Sequence, residues 1–477
     1  MLDLTRRSLM VGAGAVGAGA ATARPLARER GLIAEPLNPL VRQRADAQVF
    51  RHSDGFYYLT GSVPEYDRLV LRRSRTLEGL ATAPERVVWH HLASGPLSGF
   101  IWAPELHLID GRWVMYFAAG PSGGGEDVFR IRTWAAVCDG RDPMTGGWSA
   151  LGQFQAPWDS FNLDSTSFVH RGTRYFCWAQ REPGIDTNSN LYLAPLATPL
   201  TLARAPVRLS VPTLEWEIRG FKVNEAPSFL ARNGRVFISY SASATDERYC
   251  LGLLSAKADA DLMTAASWTK SPVPVLTTSE ATGVYGPGHN SFTVDERGRD
   301  VLVYHGRDYR EIKGDPLFDP NRHTRLQRLY YRPDGTPDFG IPVGNGALPD
   351  RLSPLDAPGL FLRNDGGAPS IGCGSLAGSQ FRQLADPGGS VSLAPIEAPD
   401  HRLCAIQDGS VRLVKADARA APIQGSRFTR IAGLADRRGV SFVAAGTSNV
   451  YLHHIGPKLM VGDVASTRRE SATFALS

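Results

Sequence analysis

The sequence predicts an all-β chain, a five-bladed β-propeller followed by a β-trefoil. Three observations carry that expectation. First, a Gly-containing turn followed by an apolar, aromatic-rich run recurs five times. It reads Asp54-Gly55 before FYYLTGS, Asp110-Gly111 before RWVMYFAAG, Arg171-Gly172 before TRYFCWAQ, Asn233-Gly234 before RVFISYSAS and Arg297-Gly298 before RDVLVYHGR. These glycines are 56, 61, 62 and 64 residues apart, and strand-rich repetition at such a period indicates radial blades. Second, a shorter repeat follows: Ser379-Gln380-Phe381, Ser426-Arg427-Phe428 and Ala472-Thr473-Phe474, at spacings of 47 and 46. Three all-β units of that length predict a trefoil. Third, the 49 glycines and 33 prolines suit many short strands joined by turns.

Taken in order, residues 1–30 stand outside the fold. Thr5-Arg6-Arg7-Ser8-Leu9-Met10 precedes the weakly apolar run VGAGAVGAGAATA, with Ala21-Thr22-Ala23 as a cleavage site. The segment resembles a twin-arginine export signal. Residues 31–347 hold the five repeats, each a polar residue, an apolar strand, a turn and a second apolar strand. Asp54-Gly55, Asp110-Gly111 and Asn233-Gly234 are hairpin-turn dipeptides. Residues 348–358, rich in Pro, Asp and Leu, read as a linker. Residues 359–477 form the trefoil, with strand signals at Ser390-Val391-Ser392-Leu393 and Gly439-Val440-Ser441-Phe442, then Arg402-Leu403 and Tyr451-Leu452.

Composition narrows the function classes. The net charge is +5, but the basic residues are scattered. No basic stripe interleaves with aromatics, so a nucleic-acid partner is not expected. No stretch reaches transmembrane length, and the mature chain is expected to be an exported monomer, periplasmic or extracellular, without a membrane contact. The five cysteines, Cys138, Cys177, Cys250, Cys373 and Cys404, include no C-x-x-C pair, which leaves zinc unsupported. Cys177 and Cys250 read as buried thiols, and Cys373 and Cys404 as a candidate pair.

The chemistry lies in five polar residues, Asp46, Glu105, Asp164, Glu225 and His289, six to nine residues before the five turn glycines. In a propeller, equivalent positions near the axis converge, which predicts four carboxyls and a histidine around one pocket. Glycoside hydrolysis needs one protonated and one ionised carboxyl across the scissile bond. Crowding carboxyls is a way to separate their protonation states, because like charges disfavour joint ionisation.

The motifs around these residues resemble glycoside hydrolase family 43, five-bladed propellers acting on arabinan and xylan side chains. They are Arg44-Ala45-Asp46, Trp102-Ala103-Pro104-Glu105, Leu163-Asp164-Ser165-Thr166, Asn224-Glu225-Ala226-Pro227 and Gly286-Pro287-Gly288-His289-Asn290-Ser291. The resemblance implies Asp46 as general base, Glu225 as general acid, and Asp164 as the residue that raises the acid's pKa and orients it. An inverting mechanism would set the two catalytic carboxyls about 6.5–9.5 Å apart. His289 matches an axial histidine that in the family often faces a water-bound Ca²⁺; no organic cofactor is implied. Trp102 is a candidate wall of the sugar pocket, and Arg307, in Tyr304-His305-Gly306-Arg307, a candidate sugar contact. Glu105 is expected to be paired and structural.

The C-terminal repeat resembles the arabinofuranose-binding module of carbohydrate-binding family 42, on Ser426-Arg427-Phe428, Gly433-Leu434-Ala435-Asp436, Gly439-Val440-Ser441-Phe442 and Tyr451-Leu452-His453-His454. Its second lobe has Leu403-Cys404-Ala405 where that family has a histidine. Only the third lobe keeps a candidate sugar-binding set, Tyr451, His454 and Asp463. Together the two resemblances imply an exo-acting, inverting α-L-arabinofuranosidase that releases terminal α-L-arabinofuranose from arabinan or arabino-oligosaccharides. β-Xylosidase and endo-arabinanase are alternatives on the same fold. A non-catalytic pentose-binding protein and a protein-interaction scaffold are the alternatives from other classes.

Overall fold

Left-handed turn residues set the blade hairpins. Asp110-Gly111, Arg171-Gly172 and Asn233-Gly234 each place two consecutive residues at positive φ, the geometry of a type I′ turn whose twist matches the flanking strands. The structure, a computed structural model, describes residues 36–122, 127–364, 366–416 and 424–477. The expected export signal at 1–30 lies outside them.

Five antiparallel meanders follow one another. The first blade comprises Ala45–Arg51, Tyr57–Ser62, Arg68–Ser74 and Arg86–His90. The second comprises Gly99–Ile109, Arg112–Gly120, Arg132–Cys138 and Trp148–Gln153. The third is built on Asn162–His170, Thr173–Gln180 and Asn190–Thr198, with Thr201–Leu202 and Val207–Ser210 outside. The fourth has Asn224–Arg232, Arg235–Ala242, Cys250–Lys257 and Thr269–Lys270, and the fifth Tyr285–Val294, Asp300–Arg307 and His323–Arg328. The fifth blade is finished by the start of the described chain. The Leu40 N–H donates to the Thr324 carbonyl, and the Thr324 N–H donates to that of Val41. Asn38 Nδ2 donates to the carbonyls of Leu326 and Val343 while its Oδ1 accepts the Leu326 N–H. The ring therefore closes on hydrogen bonds between its two ends.

Apolar side chains fill each interface between neighbouring blades. Leu69 and Ile101 share one such core, Val137 and Phe176 the next, and Leu193 and Ile238 a third. Leu253 with Leu302, and Val303 with Val49, complete the circle. The axial ends of the blades are left to polar residues.

After the propeller, six strands pair in a closed circuit: Asp350–Pro354, Gln380–Ala385, Val391–Pro395, Phe428–Ala432, Val440–Ala444 and Phe474–Leu476, the last also pairing with the first. Three hairpins stand beside the circuit, Phe361–Arg363 with Ser370–Gly372, His401–Ala405 with Val411–Lys415, and Val450–Ile455 with Lys458–Asp463. The repeated Phe381, Phe428 and Phe474 are buried in its core. Within 348–358, expected as a linker, Asp350–Pro354 is one of the ring strands, because Leu352 is buried in that same core. All five cysteines are free thiols, so Cys373 and Cys404 are not joined; Cys404 is buried and Cys373 exposed.

Candidate active site

The innermost strand of every blade carries the same one-residue bulge. Its pairing steps from Ala45–Ser62 to Gln48–Thr60, and likewise beyond Trp102, Leu163, Glu225 and Gly288. The first bulged residue is left-handed each time: Asp46 (φ 53°), Ala103 (46°), Asp164 (49°), Ala226 (52°) and His289 (42°). A bulge re-aims its side chain, and left-handed non-glycine residues persist only where the surroundings hold them. This corrects the expectation of five register-matched polar residues. Asp46, Asp164 and His289 are structural equivalents, whereas Glu225 lies one residue before its bulge and Glu105 two residues after the Ala103 position. Counting back from the turn glycine hides the offset because the intervening length varies.

Side chains fasten the bulges to neighbouring blades. Ser62 Oγ accepts the Ala103 N–H at 2.8 Å and donates to Asp46 Oδ2 at 2.6 Å. Ser241 Oγ accepts the His289 N–H at 2.8 Å, and His305 Nδ1 accepts the Asp46 N–H at 3.1 Å. The Asp164 carboxylate accepts the Ala226 N–H. Around Asp46, His289 Nδ1 lies 3.3 Å from Oδ1, and Asp164 Oδ2 is 3.8 Å from the same ring nitrogen. Arg322 Nη1 reaches Asp46 Oδ1 at 3.5 Å, and its Nη2 donates to the Tyr66 hydroxyl at 2.7 Å. Tyr249 donates to Glu225 Oε1 at 2.7 Å. Glu105 pairs with His107 at 2.9 Å.

These neighbours divide the buried carboxyls into two charge states. Burial alone would push Asp46 up, but Arg322, then His289 and His305, outweigh it and hold the carboxyl well below its usual range. Asp164 is driven well above the usual range by burial and by the charges of Glu225 and Asp46. Glu225 is pushed up to about 7 by burial and Asp46, against the Tyr249 hydrogen bond and Arg322. Asp164 and Glu225 therefore titrate as a pair that retains a proton near neutrality. Burial lowers His289 and brings His305 down to about 4. One ionised carboxylate thus faces a protonated pair, the requirement for combined base and acid work.

The other expected residues are placed unevenly. Trp102 is half-buried, edge-on to Tyr66 and Phe100 at 5.4 and 5.3 Å, and among the described residues its buried indole N–H has no partner. Arg307, expected to contact sugar, is consumed internally: it donates to Asp319 and to the carbonyls of Thr245 and Pro316. Arg322, with no flanking signal in the sequence, is the arginine beside the acids. Tyr66, Tyr249 and His305 were equally silent, although His305 neighbours Gly306-Arg307 in a motif already noted. In the C-terminal hairpin, Tyr451 and Asp463 lie on paired strands, but alternation sends Tyr451 to the face opposite His454 and Asp463. Both His454 ring nitrogens are engaged, with the Gly456 carbonyl and with Asp356. His289 is the candidate face for a water-bound calcium ion. The ion prefers six to eight oxygens, His289 offers nitrogen, and no group of three or more His, Cys, Asp or Glu among the described residues is arranged to hold a metal.

Comparison with known proteins agrees with this geometry. The model of glycosyl hydrolases family 43 matches residues 36–337. An extracellular exo-alpha-(1->5)-L-arabinofuranosidase of Streptomyces avermitilis is 49% identical over 84% of this chain and 83% of its own. Alpha-L-arabinofuranosidase 43 of Humicola insolens is 46% identical over 92% of this chain and 94% of its own. The crystal structure of an alpha-L-arabinofuranosidase from Lactobacillus brevis is 49% identical, covers 65% of this chain and 97% of its own, and superposes with a TM-score of 0.64. Five bulged blades, carboxyls split between two charge states and a family match running the length of the propeller lead to one kinship: the chain belongs to glycosyl hydrolases family 43.

Proposed function

We propose that this chain is an exported, exo-acting, inverting α-L-arabinofuranosidase that releases terminal arabinofuranose from α-1,5-linked arabinan or arabino-oligosaccharides. The observation that carries the reading is the opposed ionisation of Asp46 and of the Asp164–Glu225 pair within one buried site. In this reading Asp46 takes a proton from a water as its oxygen bonds to the anomeric carbon. Glu225 gives its proton to the departing glycosidic oxygen as the old bond breaks, so proton and electron pair are both accounted for. Burial and the charge of Asp46 keep Glu225 protonated, Asp164 orients it, and Arg322 keeps Asp46 ionised. Trp102 and Tyr66 form an aromatic wall for the sugar. The arabinofuranosidase names of the full-length relatives favour arabinose over xylose.

The six-stranded circuit with three hairpins is read as a β-trefoil of the arabinofuranose-binding type. The engaged His454 and the opposed Tyr451 favour a docking role over sugar capture. Export rests on the N-terminal motif and on relatives named extracellular.

The test is pentose release from linear arabino-oligosaccharides, beside aryl α-arabinofuranoside and β-xyloside, with Glu225→Ala as control. Arabinose released one unit at a time and lost in the variant is the expected result. Xylose alone, or internal cleavage, would move the substrate assignment to a xylosidase or an endo-arabinanase. No release by the folded protein would leave a pentose-binding protein.

A further inference from the structure

Tyr249 precedes the third strand of the fourth blade, and its ring is fully enclosed. Its oxygen takes part in a hydrogen bond with Ser241, whose own oxygen accepts the His289 N–H. The Tyr249 proton is thereby directed to Glu225 Oε1, at 2.7 Å. The ring lies parallel to His305, with an interplanar angle of 3° and centroids 5.7 Å apart. His305 Nδ1 in turn accepts the Asp46 N–H. A continuous set of contacts therefore runs from Glu225 through Tyr249 and His305 to Asp46.

The Gly286-Pro287-Gly288 motif makes the space for it. Gly288 pairs opposite His305, and a Cβ there would overlap the Tyr249 ring. A Cβ on Gly286 would overlap the Asp246 carbonyl, in the turn that leads to Tyr249.

We propose that Tyr249 is the positioning residue of the general acid: its hydroxyl occupies Glu225 Oε1, leaves the transferable proton on Oε2, and aims it at the glycosidic oxygen. The stack on His305 fixes where that hydroxyl stands relative to Asp46. This rests on Glu225 being the general acid. The groups facing Glu225 are Asp164 of the third blade, Asp46 of the first, Arg322 from the fifth, and Tyr249 itself. His289 and Glu105 act on that cluster through Asp46 and Asp164. Of these, Tyr249 alone makes a hydrogen bond to Glu225 that stabilises the anion.

The experiment compares the native chain with Tyr249→Phe, which keeps the stacked ring and removes the hydroxyl. Each is assayed on an arabino-oligosaccharide, whose alkoxide leaving group needs protonation, and on dinitrophenyl α-L-arabinofuranoside, whose leaving group does not. The expected kcat loss is on the order of 10- to 100-fold on the oligosaccharide and under about threefold on the aryl substrate. Removing a hydrogen bond to the carboxylate favours its protonated form. The alkaline limb of the oligosaccharide pH profile should therefore move up by about one unit. Equal losses on both substrates, or an unmoved alkaline limb, would overturn the proposal. A native protein inactive on both substrates would instead sink the arabinofuranosidase reading on which it rests.

Discussion

Asp46 and Glu225 are both enclosed carboxyls, yet their neighbours drive them apart. Asp46 has Arg322 and two imidazoles; Glu225 has its burial and the charge of Asp46. The pH profile of kcat/KM should be a bell with its acid limb below the usual carboxylate range and its alkaline limb near 7. Arg322→Met removes the charge that holds Asp46 low, so the acid limb should move up as kcat falls. The raised pair also bears on stability. Unfolded, Glu225 releases its proton near 4.5; folded, it keeps it to about 7. The folded state binds more protons in that window, so this group's stabilisation is complete below about 4.5 and declines as pH rises through 7. Glu225→Gln should flatten that part of a Tm-against-pH curve, and an unchanged slope would contradict the assignment.

At the scale of the strand, hairpin and bulge demand different things of their residues. Gly111 is left-handed in an open turn where a Cβ would meet nothing within 4 Å. Gly111→Ala should cost about 1 kcal/mol, read as a lowered Tm with kcat unchanged. Elements of this kind were legible in the sequence, because a turn glycine followed by alternating apolar residues announces itself locally. Asp46, Asp164 and Glu225 were legible because each interrupts such a strand beside a recognisable motif. The bulge that separates Glu225 from its apparent counterparts was not, since one inserted residue leaves the hydrophobic pattern readable on either side. Arg322, Tyr66 and Tyr249 were hidden for another reason. They stand in connections between strands, where no periodicity ranks one residue above its neighbours, and only the closed ring brings them to the acids. Arg307 shows the converse, a conspicuous arginine whose donors are used by its own surroundings.

At the scale of the molecule, the propeller and the C-terminal ring are joined by polar contacts as well as by the chain. Arg328 pairs with Asp350 at 2.7 Å, Arg382 donates to the carbonyls of Gly344 and Asn345, and the Tyr330 hydroxyl donates to the Ser477 carbonyl. Docked in this way, the module should not change substrate capture when its hairpin is altered. His454→Ala is expected to leave KM for polymeric arabinan within about twofold, and a large rise in KM would restore the sugar-binding role. The seam is the more vulnerable joint. Asn38→Ala deletes three buried hydrogen bonds and should destabilise the protein by about 3 kcal/mol, seen as a lower Tm and faster proteolysis. That seam also imposes an order of assembly. Asn38 leaves the ribosome far ahead of Leu326, 288 positions downstream, so the first of the described strands can find its place only after the fifth blade has been made. Until then the blades already made lack the clasp that these hydrogen bonds supply.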